Sequence, residues 1–150
     1  MNVRRARAEE AQHIIDFQID MARETEDVTL DKNIITSGVQ AVFEDKSKGW
    51  YFVAELDGKI AGSLLITFEW SDWRNGMILW IQSVFVSKEF RGKGVYSALY
   101  GHIQDMVNSS DNNYCGIRLY VDKTNTHALK VYEKLGMDSQ HYGMCEWIKS

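Results

Sequence analysis

Apolar residues recur along this chain of 150 residues in two patterns of spacing, one typical of helices and the other of strands. Spacings of three and four positions predict amphipathic helices, and short alternating or continuous apolar runs predict strands. The helical pattern is found at 8–22, 32–45, 95–107 and 125–135. The strand pattern is found at 2–7, 50–56, 59–70, 77–86, 115–121 and 140–148. The predicted order is βααβββαβαβ, a mixed α/β sheet with helices on both faces, in a single domain over 1–150.

Turn residues separate the predicted elements. Asp57-Gly58 is a two-residue hairpin signal, and Asn75-Gly76 marks a second turn between strands. The segment 23–30, between the first two helices, is rich in carboxylates and is expected to be an acidic loop.

Cap residues predict where two of the helices begin and end. Asp31 is expected to cap the second helix, and Thr124 or Asn125 is expected to cap the last. Gly136 stands where a left-handed residue would end that last helix.

A glycine-bearing turn joins the apolar strand 77–86 to the third helix. It reads Arg91-Gly92-Lys93-Gly94, and the helix follows at once. Two glycines allow a ligand close to the backbone, and the first turn of a helix presents unpaired N–H groups to an anion. This stretch therefore predicts an anion cradle, with phosphate groups as the expected ligand.

Two familiar phosphate motifs do not fit this turn. A dinucleotide fingerprint needs a third glycine where Ser97 stands, and it follows the first strand of a regular βαβ unit. A P-loop needs Ser or Thr after Gly-Lys, where this chain has Gly94. A helix start that uses glycine for conformational reasons alone remains the alternative to a binding site.

Composition narrows the classes of function. The formal net charge is −4 and the pI about 5.5, which argues against general nucleic-acid binding. The chain has no apolar run as long as a membrane span and no apolar signal core, so we expect a cytoplasmic protein with no membrane partner. Cys115 and Cys145 are expected to be reduced and buried, although a disulfide stays open. Neither the cysteines nor the four histidines show metal-ligand spacing, so no metal is expected.

Two segments together resemble the GCN5-related N-acetyltransferase (GNAT) superfamily. That family's acetyl-CoA signature is Gln or Arg, two residues, Gly, one residue, then Gly or Ala; Arg91, Gly94 and Tyr96 occupy the three places. Tyr96 departs from the pattern, since a phenol must point away from the cofactor or hydrogen-bond to it. The segment 125–137 resembles the family's Asn-x-x-Ala-x-x-x-Tyr-x-x-x-Gly-Phe motif. The resemblance implies a mostly antiparallel, twisted sheet of about six to seven strands with about four helices.

The resemblance also implies roles for individual residues. Acetyl-CoA would be the co-substrate, and a backbone amide of the strand end 83–86 would polarise its thioester. Asn125 would contact the pantetheine arm, and Tyr132 would protonate the departing thiolate; the alternatives are a plain helix cap and a core aromatic. The implied cofactor-binding residues are Val84, Phe85, Val86, Arg91, Gly92, Lys93, Gly94, Val95, Tyr96, Ser97, Asn125 and Tyr132.

The attacking amine must lose a proton, and the sequence does not identify the residue that would act as the general base. Gln82 occupies the place where many family members have Glu, and an amide can orient water or substrate but cannot take the proton. Glu69, Asp72 and Glu146 are candidate replacements, each also readable as an ordinary solvated carboxylate.

The acceptor is expected to be a small, cationic amine or a peptide amine. The residues expected to recognise it are carboxylates and tryptophans: Glu24, Glu26, Trp70, Trp73 and Trp80. A solvated acidic loop and a packed core or subunit interface are the alternatives. A non-catalytic acyl-CoA-binding domain is the second hypothesis for function, kept open by Gln82 and Tyr96. A homodimer is also open, since dimers are common in families of this kind.

Overall fold

The computed structural model describes residues 1–109 and 111–150. These residues form two compact units, Met1–Leu119 and Tyr120–Ser150. The first unit contains the sheet, and the second contains one helix. The prediction of a single domain over 1–150 remains a prediction.

The first unit is built on a mixed sheet. Within the described residues the sheet has five strands, β1 Asn2–Arg5, β2 Trp50–Leu56, β3 Lys59–Ser71, β4 Gly76–Val86 and β5 Tyr114–Leu119. They lie side by side in chain order; the first four are antiparallel, and β5 runs parallel to β4. The sequence prediction of a mixed, mostly antiparallel sheet is therefore confirmed.

Helices cover both faces of this sheet, as predicted. The described residues contain the α-helices α1 Ala11–Glu26, α2 Lys32–Glu44, α3 Val95–Asn108 and, in the second unit, α4 Thr126–Lys134. Successive side chains of a strand point to opposite faces, and β2 shows the result. Tyr51 packs in a buried cluster with residues of α1 and α2, whereas the next residue, Phe52, contacts His102 of α3 at 5.4 Å between ring centroids.

Several local predictions are confirmed. Asp57 and Gly58 both have positive φ, at 53° and 75°, which is the conformation of a type I′ hairpin turn. Asp31 caps α2, since its carboxylate accepts from the N–H groups of Asn33 and Ile34. Gly136 has a φ of 83°, the left-handed value expected one residue beyond Leu135, the C-cap of the last helix.

The loop between the first two helices is shorter than the predicted acidic loop at 23–30. Helix α1 continues to Glu26, so Glu24 and Glu26 lie in its last turns. The helix ends where Asp27 adopts φ 53°, because the N–H groups of Asp27 and Val28 then return to the carbonyl of Ala22. An Asp at a left-handed C-cap is less common than Gly, and the sequence therefore gave little sign of this end.

The predicted last strand, 140–148, is wrong. None of the described residues from 135 to 150 forms a strand, and the described sheet therefore has five strands where about six to seven were expected. Apolar alternation yields a strand only where a neighbouring strand pairs its N–H and C=O groups. Here the segment opens instead with a local turn, in which Asp138 accepts from the backbone of Gln140, and Tyr142 and Trp147 are exposed.

Both cysteines are free and exposed, contrary to the expectation of buried thiols. Cys115 is on the edge strand β5, where one side chain in two faces away from the core. Cys145 lies in the segment after α4 that forms no strand, so no sheet face covers it.

A buried ion-pair cluster ties the start of the chain to the sheet. Glu10 is buried and accepts two hydrogen bonds from the guanidinium of Arg4, at 2.7 and 2.9 Å, and one from the backbone of Arg7 at 2.8 Å. Arg4 also reaches Glu55 of β2 at 2.7 Å. The bond from Arg4 is the largest cause that lowers the pKa of Glu10 from 4.5 to about 2.

Replacement of Glu10 should destabilise the fold in a pH-dependent way. We expect Glu10→Gln to lower the free energy of unfolding at pH 7 by about 2–3 kcal/mol, because Arg4 loses a buried carboxylate partner. The depressed pKa means that the contribution of Glu10 is present above pH 4.5 and is lost as the pH falls toward 2. Urea unfolding at pH 7 and at pH 3 should show the difference between the two proteins shrinking on acidification.

Glu9→Gln is the matched control. Glu9 is the neighbouring residue and its ion pair with Arg7 is exposed, so its loss should change stability by less than about 1 kcal/mol. Equal effects of the two substitutions would contradict the assignment to the buried cluster.

Candidate active site

The sheet is most irregular near the end of β4. Gln82 pairs with Leu65 and Phe85 pairs with Ser63, so Ser83 and Val84 together face the single residue Leu64 of β3. This is a β-bulge, and Ser83 has φ 51°, in the left-handed region that a serine seldom occupies. The backbone groups of 83–84 consequently leave the regular ladder.

The other side of β4 is open over the same residues. Strand β5 pairs with β4 only from Met77 to Ile81, where Leu119 is the last partner. Within the described sheet, the edge of β4 from Gln82 to Val86 therefore has no β5 neighbour. An unpaired strand edge presents a row of N–H and C=O groups to an extended ligand.

The strand runs from this open edge directly into the glycine turn. A short 3-10 turn, Lys88–Phe90, buries Phe90, and Gly92 and Gly94 follow with φ 74° and 77°. Gly94 is the N-cap of α3, and no side chain caps this helix end. No atom of the described residues lies within 4 Å of where a Cβ on either glycine would be, so the approach to the backbone is open. The geometry is that of the predicted anion cradle.

Three cations surround the cradle, and one carboxylate binds two of them. Arg91 donates from Nε to the carbonyl of Val86 at 3.0 Å and from Nη2 to Glu24 of α1 at 2.6 Å. Lys88 lies 3.2 Å from the same carboxylate. The bond from Arg91 is the main cause that lowers the pKa of Glu24. Lys93 extends over the ring of Phe90, with 5.2 Å between Nζ and the ring centroid.

A polar group lies on the face of the sheet beside the bulge. Gln82 donates from Nε2 to the hydroxyl of Thr67 at 2.6 Å. Trp80 donates from its indole N–H to Glu69 at 3.0 Å, and Arg118 of β5 donates to both oxygens of Glu69 at 2.7 and 2.9 Å. The indole bond, followed by Arg118, lowers the pKa of Glu69 against the opposing effect of burial.

One family of known proteins matches most of this chain. The family model for the acetyltransferase (GNAT) family matches residues 10–137. The chain belongs to the GNAT acetyltransferase family. Acetyl-CoA is the co-substrate of this family, and the uncapped helix start lies at the glycine turn that the motif predicted.

Individual relatives support the family assignment. A structure described as that of a possible acetyltransferase from Clostridium difficile 630 superposes with a TM-score of 0.91 at 41% identity, covering 99% of this chain and 97% of the other. An uncharacterized N-acetyltransferase of Methanocaldococcus jannaschii is 36% identical over 87 residues, which are 57% of this chain and 51% of the relative. The matched region thus spans about half of that relative's length.

More distant structures share the fold. One is an aminoglycoside acetyltransferase from an uncultured soil metagenomic sample in complex with sisomicin, with a TM-score of 0.76 at 14% identity, covering 99% of this chain and 96% of the other. At that identity the likeness concerns the fold and not the acceptor.

The tryptophans predicted to recognise the acceptor of this GNAT chain are not brought together. Trp80 is in the polar group beside Gln82. Trp70 pairs with Met77, seven residues before Val84, which is roughly 23 Å along the strand at about 3.3 Å per residue. Trp73 is in the turn beyond it and is 91% exposed.

The two carboxylates predicted to recognise the acceptor also differ in their surroundings. Glu24 binds Arg91 and Lys88, whereas Glu26 is exposed two residues further along α1.

The second unit holds the other GNAT motif. Asn125 caps α4, because its side-chain oxygen accepts from the N–H of Ala128 at 3.0 Å. Tyr132 lies about two turns further along the same helix and is half-buried. The cap was predicted; the contact of Asn125 with pantetheine and the proton donation by Tyr132 remain predictions.

Sequence reasoning placed the polarising amide within 83–86 but missed the bulge at Ser83, and it missed Thr67 and Arg118. No local signal marks the bulge, because Ser83 is not a glycine and 77–86 is a regular apolar run. Arg118 gave a weak signal: it is a charged residue in the middle of a short, otherwise apolar strand.

No group of three or more His, Cys, Asp or Glu side chains among the described residues is arranged to hold a metal ion. None of the helices they form is both long and apolar enough to cross a membrane.

Substitution of Gly94 should test the cradle. We expect Gly94→Asn to weaken acetyl-CoA binding by about tenfold or more, about 1.4 kcal/mol, because a side chain then stands among the helix N–H groups. Asn tolerates the left-handed conformation better than most residues, so α3 should still form. Isothermal titration calorimetry measures the affinity, and circular dichroism checks the helix.

Gly101→Asn is the matched control on the same helix, where a Cβ also meets nothing within 4 Å. Its acetyl-CoA affinity should equal that of the parent protein. An unchanged affinity in Gly94→Asn would place the phosphates elsewhere.

Proposed function

We propose that this chain transfers an acetyl group from acetyl-CoA to the primary amine of a small acceptor, or to a peptide amine, by direct attack in a ternary complex. The observation that carries the proposal is the continuous path from the open, bulged edge of β4 to the uncapped start of α3. An extended thioester fits the strand edge, and a diphosphate fits the helix start.

The cradle supplies the binding energy for the phosphates. The N–H groups of Gly92 to Ser97 point from a helix N-terminus, which favours negative charge. Lys93 and Arg91 add positive charge at that point. Because Glu24 neutralises part of that charge, the backbone of the turn carries more of the binding than the motif alone suggests.

The bulge supplies the polarising donor. As the amine attacks, negative charge develops on the carbonyl oxygen of the thioester, and a fixed N–H donor lowers the energy of that state. The residues 83–86 offer such donors because β5 ends before them, and the bulge also frees 83–84 from the ladder with β3. The left-handed φ of Ser83 fixes where these groups point.

The bond changes are those of acyl transfer. The amine nitrogen forms the C–N bond, the C–S bond breaks with its electron pair on sulfur, and the amine loses one proton while the sulfur gains one. Tyr132 is the proposed donor to sulfur, since a phenol hydroxyl can donate a proton to a thiolate.

In this proposal a water molecule accepts the proton that the amine loses. Gln82 uses its Nε2 on Thr67, and its Oε1 is left to accept from the amine or from a water. Glu69 is a poor base, because Trp80 and Arg118 lower its pKa and occupy its oxygens.

A panel of amines tests the activity. We expect acetyl-CoA-dependent thiol release with at least one class among polyamines, amino acids, aminoglycosides and peptides, followed with a thiol reagent. Binding of acetyl-CoA without turnover of any class would contradict the enzyme and favour the acyl-CoA-binding domain.

Replacement of Tyr132 tests the proton donor. Tyr132→Phe should lower kcat by about tenfold or more, because general acid catalysis contributes on the order of 100-fold or more, and should leave acetyl-CoA affinity unchanged. Tyr142→Phe, which removes a hydroxyl from an exposed tyrosine of the same unit, should leave kcat as it was. Equal kcat values in the two variants would remove Tyr132 as the acid.

A further inference from the structure

The polar group on the sheet face is organised around Arg118. Thr67, Trp80 and Arg118 are cross-strand neighbours in register on β3, β4 and β5, so their side chains share one face. All three are half-buried. The next position of β5 on that face is Gly116, where no atom of the described residues lies within 4 Å of a Cβ. The face therefore has open space at Gly116, two residues along β5 from the guanidinium of Arg118.

Part of the guanidinium of Arg118 is not used in hydrogen bonds among the described residues. It bonds Glu69 through Nη1 alone, and among the residues that the structure describes no hydrogen bond uses its Nε or Nη2. Its side chain is 33% exposed, so those donors are within reach of a ligand. A guanidinium with an unused edge is suited to a planar carboxylate, which it binds through two parallel bonds.

The carboxylates around the site are already matched by cations. Glu69 is bound by Arg118, and Glu24 is bound by Arg91 and Lys88. Neither is left to hold the second ammonium group of a polycationic acceptor. Together these two carboxylates and three cations leave one positive charge in excess, which belongs to the group around Glu24, and they leave no carboxylate over.

We propose that Arg118 binds a carboxylate of the acceptor, which is thus an aminocarboxylate: an amino acid, or a peptide that carries a carboxylate near its reactive amine. This inference rests on the proposed acetyltransferase activity. Trp80, fixed by Glu69, forms one wall of the site, and Gln82 lies one step closer to the bulge on the same face.

The spacing favours an amine at some distance from the carboxylate. Trp80 precedes Val84 by four residues, roughly 13 Å along the strand at about 3.3 Å per residue. An ω-amine on a flexible chain spans more of that distance than an α-amine does. Lysine and its decarboxylated counterpart, cadaverine, form a matched pair of probes.

The test compares these probes in the parent protein and in three variants. The parent should acetylate lysine with a kcat/KM about tenfold or more above that for cadaverine, mainly through a lower KM. Arg118→Gln should remove this preference, and Arg118→Lys, which keeps a point charge but loses the planar fork, should retain part of it. Lys46→Gln, which removes an exposed cation in the turn before β2, should leave the preference intact.

Binding without turnover separates the two hypotheses. Calorimetry with CoA present should show lysine binding more tightly than cadaverine, and Arg118→Gln should abolish the difference. If both probes bind alike, or if Arg118→Gln affects both equally, the carboxylate site is refuted even where acetylation occurs. If the binding preference is present but neither probe is acetylated while acetyl-CoA binds, the site stands for these probes and the proposed activity fails for them.

A comparison of two peptide substrates distinguishes the source of the carboxylate. A peptide with a C-terminal lysine is compared with the same peptide amidated at its C-terminus. A preference for the free acid assigns the site to a chain terminus, and a preference for free lysine over both peptides assigns it to an amino acid. No preference in any pair would overturn the inference.

Discussion

The backbone hydrogen bonding of β4 is the constraint on which the rest of the first unit depends. Over its first half the strand is paired on both sides, with β3 and with β5, and is held as the centre of the sheet. Over its second half the β5 partner ends and the β3 ladder is interrupted by the bulge. A strand that is paired on both sides and then released at one end provides an edge inside the sheet. In the proposed function the substrate path begins at that edge, because the backbone groups there need partners.

Electrostatics then divides the surroundings of this edge into two groups of ion pairs. Glu24 links the end of α1 to the glycine turn through Arg91 and Lys88, and Glu69 links β3 to β5 through Arg118. Both groups are partly exposed, so each adds little to stability. Their effect is on position: they hold an arginine on either side of the bulge and consume the carboxylates that a simple count of charges would assign to the acceptor.

The sequence predicted the order and type of nearly all elements, because most of them depend on local patterns. The hairpin at Asp57-Gly58, the cap at Asp31 and the glycine turn each have a chemical signature within a few residues. The failures have non-local causes. The segment 140–148 alternates as a strand should, but pairing depends on a neighbour that no local pattern specifies. The bulge at Ser83 arises from the register between two strands, and the contact of Glu24 with Arg91 joins residues far apart in the chain. The tryptophans were grouped by closeness in sequence, whereas a long hairpin separates its turn from the far end of its strands.

The extra residue in β4 also changes the phase of the strand. Before the bulge, the even-numbered residues Trp80 and Gln82 face the side of α1, and after it the odd-numbered Phe85 does, in contact with Phe17 at 5.2 Å between ring centroids. One strand therefore presents polar residues to the open part of the face and an aromatic residue to the helix that covers the remainder. If Ser83 and Val84 each faced a separate residue of β3, Phe85 would come opposite Gly62 and would turn to the opposite face. The irregularity thus keeps the hydrophobic attachment of α1 compatible with a polar surface on the same strand.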